Sequence, residues 1–151
     1  MKTNEDAALL GEIKTAAEMA RRTLPYLIRQ TDDEHLKSEM NRILGEYEGI
    51  SGEVERVAQG LSADISDIPG LSALGGLKTE GMVRMSTLLD GSDAHIADLT
   101  LNGGAMGVKT IAEAINRYPN ASAEVKGLAE QVRSLSDESI RVMQPFLDHV
   151  R

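Results

Sequence analysis

Three histidines, His35, His95 and His149, and an excess of carboxylates are the groups in this chain equipped to hold a metal ion or move a proton. Cysteine is absent, which excludes disulfides, thiolate metal sites and cysteine nucleophiles. His95 and Asp98 stand one helical turn apart, a spacing at which a carboxylate orients an imidazole. Glu18 and Glu46 are the acids that two helices joined by a short turn would carry to one level, and hard ions such as iron or manganese prefer such oxygens. Both lie off the apolar stripes of their helices, so solvated carboxylates are the simpler expectation. Ser139 has no histidine at its level to act as a base. Gly103, Gly104 and Gly107 lack the Lys-Ser/Thr that follows a phosphate cradle, and Gly103-x-x-x-Gly107 on a helix permits close helix approach instead.

The elements that must position these groups are helical. Leu9, Ile13, Ala16, Ala20, Leu24 and Leu27 advance by threes and fours, which makes one stripe on a helix over 5–30, with Pro25 a kink or stop near its end. Thr31 and Glu34 form a capping-box pattern that opens a second helix over 32–60. Its seam, Leu36, Met40, Ile43, Tyr47, Ile50, Val54, Val57 and Leu61, alternates 4 and 3 throughout. Residues 61–76 contain Pro69, Gly70, Gly75 and Gly76 and read as a long crossover. Met82, Met85, Leu89, Ser92, Ile96, Leu99, Gly103 and Met106 then predict a helix over 77–118, with a break at Gly91 as the alternative. Tyr118-Pro119-Asn120 stops it, and Asn120 caps a fourth helix over 120–150, whose seam is Val125, Leu128, Val132, Leu135, Ser139, Val142, Phe146 and His149. The expected fold is a single all-α domain, an antiparallel up-down-up-down four-helix bundle with a long crossover between its second and third helices.

The 151 residues carry 24 acidic and 16 basic side chains, a formal charge of −8 that disfavours nucleic acid as a partner. With three Tyr, one Phe and no Trp, aromatic stacking platforms have little to be built from. No apolar run reaches the length of a membrane span and no leader pattern opens the chain, so the expected location is the cytoplasm, away from membranes.

The segment Met85-Ser86-Thr87-Leu88-Leu89-Asp90-Gly91-Ser92-Asp93-Ala94-His95-Ile96-Ala97-Asp98, continuing to Leu101-Asn102-Gly103-Gly104-Ala105-Met106-Gly107, resembles a stretch found in small bacterial proteins of the ferritin-like helical class. The resemblance extends loosely over the last three helices, including Glu46-Tyr47-Glu48. It implies a four-helix bundle and, for the wider superfamily, a di-iron carboxylate centre. Such a centre takes a Glu from each of two helices and a Glu-x-x-His pair from each of the other two, and this chain contains no Glu-x-x-His. Counted along an up-down-up-down bundle, His95 falls roughly 14 Å from the level of Glu18 and Glu46.

The sequence therefore points first to a non-enzymatic module that self-associates or binds a partner, without a cofactor. A ferritin-like iron- or manganese-binding or oxidative-stress protein is the alternative, with His95, Asp98, Glu18 and Glu46 as its ligands. A helix over 77–118 would overhang its neighbours and leave Met82, Met85, Leu88 and Leu89 to be covered either by the crossover 61–76 folding back with Ile68, Leu71 and Leu74 or by a second copy. A homodimer through Met82, Met85 and Leu89, or through Gly103 and Gly107, is the expected assembly.

Overall fold

The computed structural model describes residues 2–60 and 93–148, and side chains within them from Glu5 to Gly60 and from His95 to Leu147. Four helices account for nearly all of it: α1 Lys2–Gln30, α2 Glu34–Gly60, α3 Asp93–Arg117 and α4 Ala123–Asp148. No strand occurs among the described residues. The crossover 61–76, residues 77–92 with Met82, Met85, Leu88 and Leu89, and His149 lie outside them.

The apolar stripes become the core. Leu9, Ile13, Leu24 and Leu27 of α1 are buried, as is the α2 seam from Leu36 through Val57. Val125, Leu128, Val132, Leu135 and Phe146 supply α4's share. α1 runs through Pro25 without stopping, and α4 likewise contains Pro145. A prolyl ring removes one hydrogen bond of the ladder, and packing on both sides of it holds the helix together.

Three expectations are corrected in detail. Asp33, not the Thr31/Glu34 pair, caps α2: its Oδ1 accepts from the Leu36 N–H at 2.9 Å, while the buried Thr31 hydroxyl accepts from the N–H of Asp33 at 3.1 Å. Ser122, not Asn120, caps α4, accepting from the Val125 N–H at 3.3 Å. The α3 seam also turns by one residue after Ile96. Thr100, Gly104, Ile111 and Ala114 face inward, whereas Gly103 is exposed, Leu99 is half-buried and Met106 is 71 % exposed.

The order of the helices in space departs from up-down-up-down. Along α2 and α4, partners run in opposite numerical order: Arg42 meets Glu138, Tyr47 meets Ser136 and Arg56 meets Glu124. At one end of the molecule His35, just past the α1–α2 join, packs edge-on against Phe146 near the end of α4. At the other end Glu5 and Asp6 accept hydrogen bonds from the N–H groups of Asn120 and Ser122 in the α3–α4 join. The two short joins thus lie at opposite ends. Thr100 of α3 meets Met40 of α2, so these two helices run in the same sense and Gly60 and Asp93 stand at opposite ends. Apolar period fixes which face is buried and carries no information on direction. The carboxylates at the start of α1 accept from N–H groups at the N-terminal end of α4, where peptide dipoles favour negative charge, and so tie these two ends together.

Candidate functional site

Glu18 was expected in water and lies instead in an ion-pair cluster between α1 and α2. Its carboxylate is 3.3 Å from Lys14 Nζ and 2.6 Å from Arg21 Nη1, with its side chain 16 % exposed. Ser51 of α2 donates to Glu18 at 3.3 Å and accepts from Lys14 at 3.0 Å, and Lys14 also pairs with Glu55 at 2.7 Å. Burial alone would raise the Glu18 pKa; Lys14 and Arg21 outweigh it and hold the carboxyl below its ordinary value of 4.5. A carboxylate already engaged by two cations is a poor metal ligand.

Glu46 does not share this site. It is exposed and pairs with Arg42 at 2.8 Å, and the same guanidinium reaches Glu138 of α4 at 2.8 Å. Ser51, which touches Glu18, is five residues from Glu46, and five residues turn a helix by about 140°. The two glutamates therefore stand on different sides of α2. His95, half-buried, lies in the first turns of α3. With Thr100 level with Met40, His95 sits roughly 16 Å along the axis from Glu46. Asp98 is exposed and accepts from Asn102 at 3.4 Å. Glu18, Glu46, His95 and Asp98 do not fit one di-iron centre, and among the described residues no group of three or more His, Asp or Glu is placed to hold a metal ion. Ser139 is buried and donates to the Leu135 carbonyl at 2.9 Å, an intrahelical bond without a base.

The glycines of α3 do permit a close approach, through a different pair. Cβ atoms at Gly104 and Gly107 would stand 2.8 Å from the Ser136 carbonyl oxygen and 2.6 Å from the Ser136 Oγ of α4, while Gly103 faces open space. Beside them the Tyr47 and Ser136 hydroxyls are hydrogen-bonded at 2.9 Å in the core. Burial pushes the Tyr47 phenol up, so it stays neutral.

What sequence reasoning missed lies on the outward side of α2. Gly45, Gly49 and Gly52 follow one another at steps of four and three, opposite the seam residues Ile43, Tyr47, Ile50 and Val54, and nothing stands within 4 Å of a Cβ built on any of the three. The signal was present as a second helical period, written in glycine, beside the apolar one. Arg42, Glu46, Glu53 and Arg56 flank this row on the side of α4, where Arg42 pairs with Glu138 and Arg56 with Glu124. On its α4 side opens a shallow groove of about 510 Å³, with Glu46, Glu53, Glu130 and Glu138 along its edges and Ile50 and Leu135 at its base. Its lining holds these carboxylates, the Ser134 hydroxyl and the Gln131 amide, and no histidine.

The chain matches no protein-family model, no curated protein and no solved structure. No helix among the described residues is long and apolar enough to cross a membrane.

Proposed function

We propose that this chain is a non-enzymatic four-helix bundle whose work is to hold another polypeptide against α2. The single observation that carries the reading is the row Gly45, Gly49 and Gly52, open to solvent in the middle of a helix. Glycine in a helix interior costs about 1 kcal/mol relative to alanine, so three of them sacrifice about 3 kcal/mol with no contact inside the chain that needs them. Where Gly104 and Gly107 are occluded by α4, these three are not. A surface kept free of Cβ atoms at that cost fits the close approach of another backbone.

The bundle is proposed to have the one-long-return course of ferritin-like folds, supported by the short joins at opposite ends and the parallel sense of α2 and α3. Alanine at Gly45, Gly49 and Gly52 tests the reading. The triple variant is expected to melt higher than the wild type by several degrees, since alanine meets nothing there and improves helix propensity. A lower melting temperature would mean that the fold itself needs these glycines, and the reading would fail.

A further inference from the structure

We infer that Asn102-Gly103 is a self-modification site gated by α3, at which a transient opening of that helix becomes a permanent change in the backbone. The site is independent of the partner-binding reading above.

Of Asn4, Asn41, Asn102, Asn116 and Asn120, only Asn102 precedes a glycine. An asparagine side chain is open to attack by the backbone nitrogen that follows it, and a residue without Cβ leaves that nitrogen unshielded. Asn102 and Gly103 are both exposed, and among the described residues nothing stands within 4 Å of a Cβ built at Gly103, so no neighbour blocks the ring that must form. Helical structure holds the reaction off. Within α3 the Gly103 N–H is committed to the carbonyl four residues back, and the backbone keeps its nitrogen away from the Asn102 Cγ. That hold is weak at this point. Gly103, Gly104 and Gly107 each lower helix propensity by about 1 kcal/mol relative to alanine. Gly104 and Gly107 close against Ser136 of α4 and recover part of it, whereas Gly103 does not.

When α3 opens locally, the Gly103 nitrogen bonds to the Asn102 Cγ and the Cγ–Nδ2 bond breaks. The side-chain amide leaves as ammonia, carrying away the proton that Gly103 nitrogen gives up. Water then opens the five-membered imide on one of its two sides. Opening at Cγ gives aspartate; opening at the main-chain carbonyl carbon gives isoaspartate, whose chain runs through Cβ and Cγ. Overall one water is consumed and one ammonia released, with no change of oxidation state.

Both products resist reclosing. The Asn102 amide donates to Asp98 Oδ2 at 3.4 Å, one turn back, and either product puts a carboxylate where that donor stood. Like charges at this spacing destabilise a helix. Isoaspartate also adds a carbon to the main chain inside Asp93–Arg117, which throws the residues after it out of helical step and draws Gly104 and Gly107 away from Ser136.

Incubation in mildly alkaline buffer, followed by peptide mass mapping with isoaspartate detection, tests the site. Asn120, in the α3–α4 join outside the helices, serves as an internal reference. Asn102 is expected to convert, at a rate that follows the open population of α3 when opening is fast relative to the reaction. Gly104→Ala, which crowds α4, should speed that conversion roughly tenfold, the change in population that about 1.4 kcal/mol makes, and leave Asn120 unaffected. Gly107→Ala should act in the same direction and by less. Gly103→Ala should slow conversion more than about fivefold, since the helix preference of alanine accounts for that factor alone and its methyl group shields the nitrogen besides. The isolated isoaspartyl product should melt below the parent, with Asn102→Asp between the two. An Asn102 that keeps its amide in the wild type and in Gly104→Ala alike, while the urea-unfolded chain converts, overturns the site. Equal rates in the wild type and Gly104→Ala overturn the gating by α3, and a product that melts with the parent overturns the lasting change.

Discussion

The hydroxyl of Ser136 sits 2.9 Å from the hydroxyl of Tyr47 across the α2–α4 seam, in a space that a side chain at position 107 would fill. Three helices meet at this point. α2 supplies the phenol, α4 the serine, and α3 the missing side chains that let the serine stand where it does. The pair is a polar contact within a largely apolar seam, between residues 89 apart in sequence.

Tyr47→Phe removes one hydroxyl and leaves the other, on a serine 1 % exposed, without its partner across the seam. The expected loss is about 1–2 kcal/mol by denaturant titration. Ser136→Ala should cost a similar amount. The double variant should lose less than the sum of the two, since the second removal takes away the polar group that the first stranded. Strict additivity would show that the hydroxyls do not interact.

Alanine substitutions along α3 separate its two glycine faces. Gly103→Ala is expected to stabilise by roughly 0.5–1 kcal/mol, because its Cβ meets nothing and alanine is the better helix former. Gly104→Ala places a Cβ 2.8 Å from a backbone oxygen of Ser136, which cannot move aside without shifting α4. A net loss of about 1–3 kcal/mol follows from overpacking. Gly107→Ala meets the rotatable Ser136 hydroxyl at 2.6 Å, so its effect should be smaller and should shrink further in a Ser136→Ala background, where only the contact to the Cβ of residue 136 at 3.3 Å remains. Melting temperatures in the order Gly103→Ala, wild type, Gly107→Ala, Gly104→Ala check this. A stabilised Gly104→Ala would contradict it.

These contrasts also mark what could be read from the sequence. α2 was legible almost residue for residue, because seven consecutive seam positions from Leu36 to Val57 are bulky and apolar and admit one phase. α3 was not. Its seam passes through Gly103-Gly104 and Met106-Gly107, where hydropathy does not separate neighbouring residues, and the phase slipped by one. Glu18 had a visible i−4 partner in Lys14, but Ser51 and Glu55 reach the pair from α2, and only the pairing of helices reveals that. Direction was the deepest gap. A long connection lets the third helix start at either end, and the residues that tie α1 to the start of α4, Glu5 and Asp6, look in sequence like ordinary first-turn acids.

The Glu18 cluster gives the protein an acid limb. Because the folded carboxyl titrates below its ordinary value of 4.5, its ionised form favours the folded state. That contribution is complete above pH 4.5 and is lost as the pH falls through the folded value. Glu18→Gln should therefore destabilise at neutral pH. The gap between wild type and variant should close on acidification below about 4.5, when both carry a neutral side chain at this position. Melting curves from pH 7 down to pH 3 measure the gap; one that widened towards acid would mean that the neighbouring cations do not hold the carboxylate.

Asp6 ties the start of α1 to the start of α4, and the tie bears on the arrangement of the whole molecule. Its Oδ1 accepts from the Ser122 N–H at 2.6 Å, and the residue is 5 % exposed. The bond is charge-assisted and sits beside a helix N-terminus, two reasons for it to exceed a neutral hydrogen bond. Asp6→Ala leaves a partly buried backbone N–H unpaired and should cost about 1–3 kcal/mol. Asp6→Asn keeps the acceptor and removes the charge, so it should recover part of that loss, with a smaller dependence on salt than the wild type. Amide hydrogen exchange adds a local readout. In Asp6→Ala the N–H of Ser122 should lose protection first, and fraying should spread into the opening turn of α4 ahead of α2. If Ser122 exchanges as slowly in the variant as in the wild type, the carboxylate is not what orients α1 on α4, and the ends of these two helices must be held by the apolar contacts of Leu9, Leu10 and Val125 alone.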